Sequence, residues 1–104
     1  MRSDAFLRPQ ALLDLEQIFI YLAENDLDAA DRFLLSFENS VKLISGQPNV
    51  GAEASFENPQ LQGIRTWPVK GHKNVLIFYF VANDRLDIVR VLHTARDIRG
   101  ILEG

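Results

Sequence analysis

The stretch VLIFYFVANDRLDIVRVLHTARD, residues 75–97, decides the fold of this chain. Its first seven residues, 75–81, are an unbroken run of aliphatic, β-branched and aromatic side chains, which predicts a central strand covered on at least one face. Asn83 and Asp84 follow, and such a pair is a strong signal for a tight hairpin turn. Residues 86–93 then predict the returning strand. We therefore expect an antiparallel hairpin at the centre of a sheet.

The returning strand carries one charge in an apolar setting. Strict alternation places Arg90 on one face with three aliphatic residues: Leu86, Ile88 and Leu92. A charge among aliphatic side chains normally needs a partner. Arg90 is therefore either an anion-binding group on an open sheet face or, as we favour, the partner of a core carboxylate such as Asp97 or Asp14.

Upstream of the hairpin, the chain predicts a strand, a loop and two helices. Residues 64–69 form the strand, and residues 46–63, which contain five glycines and prolines, predict a long surface loop. Apolar residues at helical spacing predict helices over 10–23 and 29–45, with Asp26 or Asp28 as the cap of the second. The first helix presents an apolar stripe of Leu12, Leu15, Ile18, Phe19 and Leu22, with Asp14, Glu16, Gln17 and Glu24 on its polar side. The second presents Ala30, Phe33, Leu34, Phe37, Val41 and Ile44.

Short elements complete the two ends. Residues 5–8 predict an edge strand, and the spacing of Thr94 to Asp97 is typical of a capping box that opens a short C-terminal helix. The predicted order is β-α-α-β-β-β. This is an α+β fold with a helical hairpin packed on one face of a mostly antiparallel sheet, and we expect residues 1–104 to form a single domain. The second sheet face is predicted to be left to solvent or to a partner.

Composition excludes several classes of protein. The 104 residues include no cysteine, which excludes a disulfide scaffold, a thiolate metal site and a cysteine nucleophile. No apolar run approaches the ~20 residues that span a bilayer, and the N-terminus lacks the apolar segment of a signal peptide. We therefore expect a cytoplasmic protein without membrane contact. No metal-binding or cofactor-binding pattern is present, so neither a metal nor a cofactor is expected.

Charge is distributed unevenly along the chain. The net charge of −3 combines −6 over residues 1–60 with +3 over residues 61–104. The basic half contains the candidate functional residues. Arg65 and Trp67 share a strand face, as a stacking surface or as a core aromatic beneath an arginine. His93 ends a strand three residues before Arg96. It is either an acid or base beside an anion-binding arginine or a hydrogen-bonded structural residue. His72 lies in a basic turn with Lys70 and Lys73.

Motifs across nearly the whole chain resemble those of the ParE branch of the RelE/ParE toxin superfamily. Residues 11–23, ALLDLEQIFIYLA, resemble the family's A-x-x-D-L-x-x-I-W-x-Y-I-A, with Phe19 at the tryptophan position. DAADRF at 28–33 and PNVG at 48–51 resemble its A-A-x-R-F and P-x-x-G segments. RTWPV at 65–69, IFY at 77–79 and IVRVLHTARD at 88–97 resemble its three C-terminal signatures. The order and spacing of these segments make the resemblance specific.

This resemblance implies a toxin of a bacterial type II toxin–antitoxin pair, neutralised by a ParD-like antitoxin from the same operon and reaching operator DNA only through that antitoxin. ParE-type toxins are known for poisoning DNA gyrase, whereas RelE-type toxins cut mRNA on the ribosome. The ribonuclease alternative would use Arg65, Arg90 and His93. Leu76 replaces an arginine typical of the RelE type, and the acidic half is a poor surface for RNA, so we favour a non-catalytic gyrase poison. Phe80 also departs from the ParE pattern, where arginine is common.

Two sets of residues follow from the resemblance and the stripes together. The candidates for target binding are Arg65, Trp67, Arg90, His93 and Arg96. The candidates for antitoxin binding are Leu12, Leu15, Phe19, Leu22, Phe33 and Phe37, because an amphipathic segment can lay apolar anchors along a helical hairpin.

Overall fold

The predicted hairpin forms the centre of the sheet in a computed structural model, which describes residues 5–104. Strand β4 (His72–Ala82) pairs antiparallel with β5 (Arg85–His93). Asn83 and Asp84 between them have φ angles of 51° and 65°, the left-handed conformation that a two-residue hairpin turn of this kind requires. β3 (Arg65–Val69) pairs antiparallel with the other side of β4. All three long strands thus occur where the sequence predicts them.

Two short strands, numbered in chain order, form the sheet edges. β1 (Ala5–Leu7) runs parallel to β5, and β2 (Ala52–Glu53) runs antiparallel to β3. The strand order is β1-β5-β4-β3-β2. The prediction of an edge strand at residues 5–8 is confirmed, with its last residue, Arg8, placed at the start of the first helix.

Two helices connect β1 to the rest of the sheet. α1 (Pro9–Ala23) begins with a proline, whose missing N–H is not needed in a first turn. α2 (Leu27–Gly46) is capped by Asp26, whose side chain accepts a hydrogen bond from the Ala29 N–H at 3.3 Å. Of the two cap residues that the sequence allows, Asp26 is therefore the one used. The short connection makes the helices an antiparallel hairpin, as predicted.

The helices cover one face of the sheet. We call the core on this side the helix-face cluster; its fully buried members include Ala11, Phe33, Ile44, Ile77, Tyr79 and Ile88. A second group of residues is buried on the opposite face, which we call the loop-face cluster; it consists of Leu61, Ile64, Phe78, Val89 and Leu92. Alternate residues of β4 enter the two clusters, which explains its uninterrupted apolar sequence.

The prediction that the second sheet face is left open is therefore wrong. Segment 54–64 and α3 (Ile98–Glu103) pack over it, and contribute Phe56, Ile101 and Leu102 to the loop-face cluster. The loop contains two turns of 3-10 helix, at Pro48–Val50 and Pro59–Leu61, rather than running over the surface without structure. The N-cap of α3 is Asp97, which accepts from the Gly100 N–H, and not Thr94 as the capping-box spacing suggested.

Strict alternation in β5 is interrupted by a β-bulge. Phe78 pairs with Arg90 while the next residue, Tyr79, pairs with Ile88, so Val89 is the extra residue. Leu86 and Ile88 consequently join the helix-face cluster, whereas Leu92 joins the loop-face cluster. The predicted common face of Leu86, Ile88, Arg90 and Leu92 is wrong, because one inserted residue reverses the facing of every residue after it.

Candidate functional site

A cleft of about 750 Å³ lies where the second half of α1 meets the turn between β3 and β4 and the end of β5. Its volume is within the ~300–1,000 Å³ range of ligand pockets. Its walls are mostly apolar and include Ile18, Tyr21, Leu22, Val75 and Val91. Its polar lining includes the basic residues His72, Lys73, His93 and Arg96, together with Asp14, Gln17 and Asn74. The fold thus assembles basic residues from two separate stretches of sequence beside an apolar surface.

The basic lining groups lie at the start of β4 and at, or just after, the end of β5. Lys73 and Arg96 are exposed, and within residues 5–104 neither side chain takes part in an ion pair or a side-chain hydrogen bond. The sequence predicted a solvated basic turn at 70–73. In the structure the turn is limited to Lys70 and Gly71. His72 and Lys73 begin β4, which lies beside the end of β5, where Val75 is the partner of His93. Two positive charges are therefore available at the mouth of the cleft.

The two histidines are held by defined contacts. His93 Nδ1 accepts a hydrogen bond from the Ala95 N–H at 2.9 Å, so a neutral ring carries its proton on Nε2. This is the hydrogen-bonded structural histidine of the sequence interpretation, and it leaves Nε2 free for a ligand. The His72 ring meets Phe33 edge to face, with ring centroids 5.1 Å apart. His72 therefore packs against the helix-face cluster where that cluster borders the cleft.

Asp14, which lines the cleft, forms an ion pair with Arg90 through two hydrogen bonds. The Asp14 carboxylate accepts from Arg90 Nε at 2.8 Å and from an Arg90 terminal nitrogen at 2.9 Å. It also accepts a hydrogen bond from the Val91 backbone N–H at 2.9 Å. The pairing of β5 with β1 ends at Ile88, so β1 supplies no acceptor for this N–H group. The hydrogen bond to Asp14 is the main cause that raises the pKa of Arg90. The preferred interpretation of Arg90 is confirmed, with Asp14 rather than Asp97 as its partner.

Asp14 was misplaced by the sequence analysis, which put it on the polar side of α1. The residue is only 4% exposed. Its position is three residues after the buried Ala11 and four before Ile18, so it lies on the face of α1 that packs against the sheet. A carboxylate at such a position is itself a signal of a buried cationic partner.

Arg65 and Trp67 lie away from the cleft. Arg65 donates to the backbone oxygens of Gly51 at 2.6 Å and Asn49 at 3.2 Å, and lies 3.6 Å from a carboxylate oxygen of Glu53. Trp67 is half-buried against the helix-face cluster. In register, Arg65 faces Tyr79 while His93 faces Val75, a separation of about 13 Å along the strand direction. The arginine thus fixes the loop beside β2. Trp67 packs against the core, as the second interpretation expects, but among residues 5–104 no arginine lies over its ring.

A tyrosine completes this loop anchor. The Tyr79 hydroxyl donates to the Pro48 backbone oxygen at 2.8 Å and accepts from the Gly51 N–H at 3.0 Å. Burial raises the pKa of Tyr79, against the opposing effect of the hydrogen bond from Gly51. A Cβ atom on Gly51 would clash with the Tyr79 hydroxyl and lie 2.8 Å from the Thr66 backbone oxygen. The P-x-x-G segment therefore has a structural role here.

The six candidates for antitoxin binding divide into two groups. Leu15, Phe33 and Phe37 are between 0% and 9% exposed and form part of the helix-face cluster. They cannot serve as an accessible surface, and this part of the prediction needs correction: the apolar stripe of an amphipathic helix faces its own core first. Leu12 is 55% exposed, and Phe19 and Leu22 are half-buried, so these three remain accessible.

The helices also carry exposed apolar residues that the predicted stripes do not contain. These are Leu13, Ile20 and Tyr21 of α1 and Leu27, Leu35 and Leu43 of α2, all at least 45% exposed. Ser40 is a buried residue that the predicted stripe of α2 does not contain. It is 3% exposed, and its hydroxyl donates to the Ser36 backbone oxygen and accepts from the Lys70 N–H. Ser40 lies three residues after Phe37 and four before Ile44, so its place in the stripe was the available signal.

Metal ligands and membrane spans are absent from the part of the chain that the structure describes. Within residues 5–104, no three histidine, aspartate or glutamate side chains lie close enough together to hold a metal ion. Over the same residues, no helix combines the length and the apolar character that crossing a membrane requires.

Comparison with solved structures concerns the fold. The fold matches a chain of the "Chromosomal ParDE TA system from P. aeruginosa" with a TM-score of 0.67 and 21% identity, over 88% of this chain and 95% of that one. It also matches a chain of the "YoeB-YefM complex from Staphylococcus aureus" with a TM-score of 0.57 and 14% identity, over 89% and 98%. These likenesses show that the chain shares the α+β fold of those two chains.

Sequence comparison then gives the family. The profile of the family described as "ParE toxin of type II toxin-antitoxin system, parDE" matches residues 5–98. The chain belongs to the ParE toxin family, as its motifs indicate. No curated protein sequence matches it.

Proposed function

We propose that this protein is a toxin that arrests growth by binding DNA gyrase without catalysis, and that a ParD-like antitoxin from the same operon neutralises it in the cytoplasm. Membership of the ParE family over residues 5–98 is the observation that carries this proposal. The structural likeness to a chain of a ParDE system supports the antitoxin partner. Operator DNA would be bound only through the antitoxin.

The arrangement of basic residues favours binding over RNA cleavage. A ribonuclease of the RelE type would need Arg65, Arg90 and His93 around one scissile phosphate. Arg65 is bound to backbone oxygens, and Arg90 is paired with Asp14. His93 alone faces the cleft, with Arg96 beside it. A histidine without the two arginines lacks the charge that stabilises the transition state of phosphoryl transfer.

The cleft supplies the target surface in this proposal. Of the five residues predicted to bind the target, His93 and Arg96 are the two whose functional atoms are available there. Arg65, Trp67 and Arg90 act instead by holding the fold. The accessible antitoxin candidates are Leu12, Phe19 and Leu22, together with the exposed leucines of the outer helix surface.

Supercoiling by purified gyrase tests this function. Added protein is expected to inhibit supercoiling and to accumulate a cleavage complex, and inhibition is expected to fall with Arg96→Glu. Arg32→Glu is the matched control, because Arg32 is an exposed arginine of α2 outside the cleft. Full gyrase activity in the presence of a preparation that arrests growth in cells would refute gyrase as the target. Cleavage of mRNA on programmed ribosomes by the same preparation would establish the alternative.

A further inference from the structure

The side of α1 that faces away from the sheet carries acidic and apolar side chains together. Leu13, Glu16, Gln17, Ile20 and Glu24 follow one another at spacings of three and four residues, so they share one helix face. All five are exposed. Neither glutamate forms an ion pair within residues 5–104. We call these five residues the outer stripe, and its charge is entirely negative.

Large apolar side chains are exposed mainly on the two helices. Within residues 5–104, nine such side chains are at least 42% exposed, and seven of them belong to α1 and α2. Exposed apolar side chains are ordinary when they are scattered singly, whereas a concentration of them marks an interaction surface. Leu13 and Ile20 of the outer stripe, 48% and 53% exposed, belong to this concentration. The outer stripe thus has the composition of a docking helix.

The cleft presents the opposite charge beside apolar walls. Lys73 and Arg96 are exposed and form no ion pair within residues 5–104. Asp14 is the one acidic residue that lines the cleft, and its carboxylate is already hydrogen-bonded to Arg90. An aliphatic side chain of the outer stripe can pack against Leu22 while its glutamates reach the two cations. The cleft is therefore complementary to the outer stripe in charge and in apolar character.

The outer stripe and the cleft border each other on the second half of α1. Gln17 belongs to both, and Ile20 of the outer stripe directly precedes Tyr21 of the cleft wall. A two-fold axis makes each contact between two copies twice, once in each direction. Two copies can therefore place α1 antiparallel beside α1, with the outer stripe of each copy against the cleft of the other. Both surfaces are then occupied in both copies, so the assembly closes as a dimer.

We infer that the free protein forms a two-fold dimer in which the outer stripe of each copy docks in the cleft of the other. Glu16 and Glu24 lie against the partner's Lys73 and the partner's Arg96, and Ile20 packs on the apolar wall. A second copy fits the cleft better than a nucleic acid does, because phosphates there would meet the negative charge of the adjoining outer stripe. The outer stripe is also a preformed helix, so docking orders no additional segment.

The dimer covers the surface that we assign to the target. His93 and Arg96 line the cleft, so both are covered when a second copy occupies it. The monomer is then the form that binds gyrase, and the dimer is a masked form whose share rises with concentration. This consequence rests on the proposed function, whereas the dimer contact itself does not. A partner bound to the outer stripe competes with the second copy.

A charge swap tests the contact. The cleft variant is Lys73→Glu with Arg96→Glu, and the stripe variant is Glu16→Lys with Glu24→Lys. Sedimentation equilibrium of the native protein at low salt is expected to show a species of twice the 11.8 kDa chain mass, which dissociates as salt is added. Each variant alone brings like charges together in both contacts, so its dimer dissociation constant is expected to rise at least about tenfold. An equimolar mixture brings opposite charges together in both contacts and is expected to restore the dimer.

Matched controls make the same changes in net charge elsewhere. Arg32→Glu with Lys42→Glu reverses two exposed cations of α2, and Glu38→Lys with Glu57→Lys reverses two exposed carboxylates. Each control is expected to change the dissociation constant less than about twofold, because salt screens charges that lie away from the contact.

A pair of aliphatic residues tests the apolar half of the contact. Ile20→Ala shortens a side chain of the outer stripe, whereas Leu43→Ala shortens one of similar exposure on α2. The dimer is expected to weaken more for Ile20→Ala. Thermal unfolding of every variant distinguishes loss of contact from loss of fold.

Several results would overturn the dimer. A native protein that stays monomeric at low salt, up to a chain concentration of about 1 mM, refutes it. Variants that dimerise as tightly as their controls, or a mixture that stays monomeric, refute this pairing of surfaces. Loss of binding to labelled single-stranded DNA in the cleft variant, with self-association unchanged, identifies a nucleic-acid site instead.

Gyrase inhibition separates the dimer from its consequence. The stripe variant keeps His93 and Arg96, so it is expected to inhibit supercoiling more strongly than the native protein does at concentrations where the native protein is dimeric. Equal inhibition refutes the masked form and leaves the dimer contact intact. If neither protein inhibits gyrase, the proposed target fails, and the sedimentation results alone decide the dimer.

Discussion

The middle and the end of β5 both carry basic side chains close to α1, and the fold uses them in different ways. Arg90, in the middle, is held by two hydrogen bonds to Asp14, and the exposed fraction of its side chain is 17%. At the end of the strand, His93 and Arg96 border an open cleft. The difference arises because α1 presents the Asp14 carboxylate to Arg90, whereas the part of α1 that borders the cleft presents apolar side chains such as Ile18 and Leu22. A basic residue is available for binding only where the packed helix supplies no acidic partner.

Removal of Asp14 is expected to have the largest effect, because it tests whether Arg90 is held by a closed ion pair. Asp14→Ala leaves Arg90 partly buried without a counter-ion and the Val91 N–H without its acceptor. Loss of one partner of a buried pair costs about 3–5 kcal/mol. Unfolding by urea is expected to show a loss of this size, while Glu16→Ala on the exposed side of α1 changes the free energy of unfolding by less than about 0.5 kcal/mol. A loss below about 1 kcal/mol would mean that the pair is not closed in solution.

Gly51→Ala tests a second closed site, where the 48–51 loop meets β3 and β4. The new methyl group would press on the Tyr79 hydroxyl and on the Thr66 backbone oxygen, which cannot rotate away. We expect a loss in the free energy of unfolding of about 1–3 kcal/mol, from the overpacking. Gly46→Ala is the control, because a Cβ atom there meets nothing within 4 Å. Equal stability of the two variants would contradict the close packing at Gly51.

Tyr79→Phe tests the same closed site as Gly51→Ala, and its effect on the free energy of unfolding is expected to depend on pH. The change removes the hydroxyl that joins the Pro48 oxygen to the Gly51 N–H, and we expect it to cost about 1–2 kcal/mol near neutral pH. The folded protein raises the pKa of Tyr79 above that of the unfolded chain, ordinarily about 10. The unfolded state therefore loses this proton first, and the stabilisation from Tyr79 is lost as the pH rises above about 10.

Denaturant unfolding from neutral to alkaline pH measures this effect. The difference in stability between the native protein and Tyr79→Phe is expected to be constant below the ordinary tyrosine pKa and to decrease above it. A difference that stays constant through the alkaline range would show that Tyr79 ionises alike in the folded and unfolded chains.

The smallest effect on stability is expected at the cleft, from the exposed side chains of Lys73 and Arg96. Lys73→Ala and Arg96→Ala remove exposed side chains without an ion pair among residues 5–104, so each is expected to change the free energy of unfolding by less than about 0.5 kcal/mol. Melting temperatures of the two variants check this. A marked fall for either one would place it with Arg90 among the structural residues.

Local patterns in the sequence predicted most of the fold. The turn at Asn83 and Asp84, the run at 75–81 and the two amphipathic helices are set by interactions between residues near one another in the chain, and all were confirmed. The order and spacing of the family motifs indicated the family, and the ParE toxin profile matches residues 5–98. Individual site residues were harder to place, since six antitoxin candidates came from stripes whose first function is to bury the core.

What only the tertiary structure decided follows from contacts between residues distant in sequence. The bulge at Val89 redirects the side chains that follow it, the 54–64 segment and α3 cover the second sheet face, and Asp14 rather than Asp97 neutralises Arg90. None of these has a local signature, because a side chain's partner depends on which elements pack against it. The sequence by itself determined the helices, the central strands, the family and the basic character of the C-terminal half. The packing of α1 on β5 determined which of those positive charges a partner can reach.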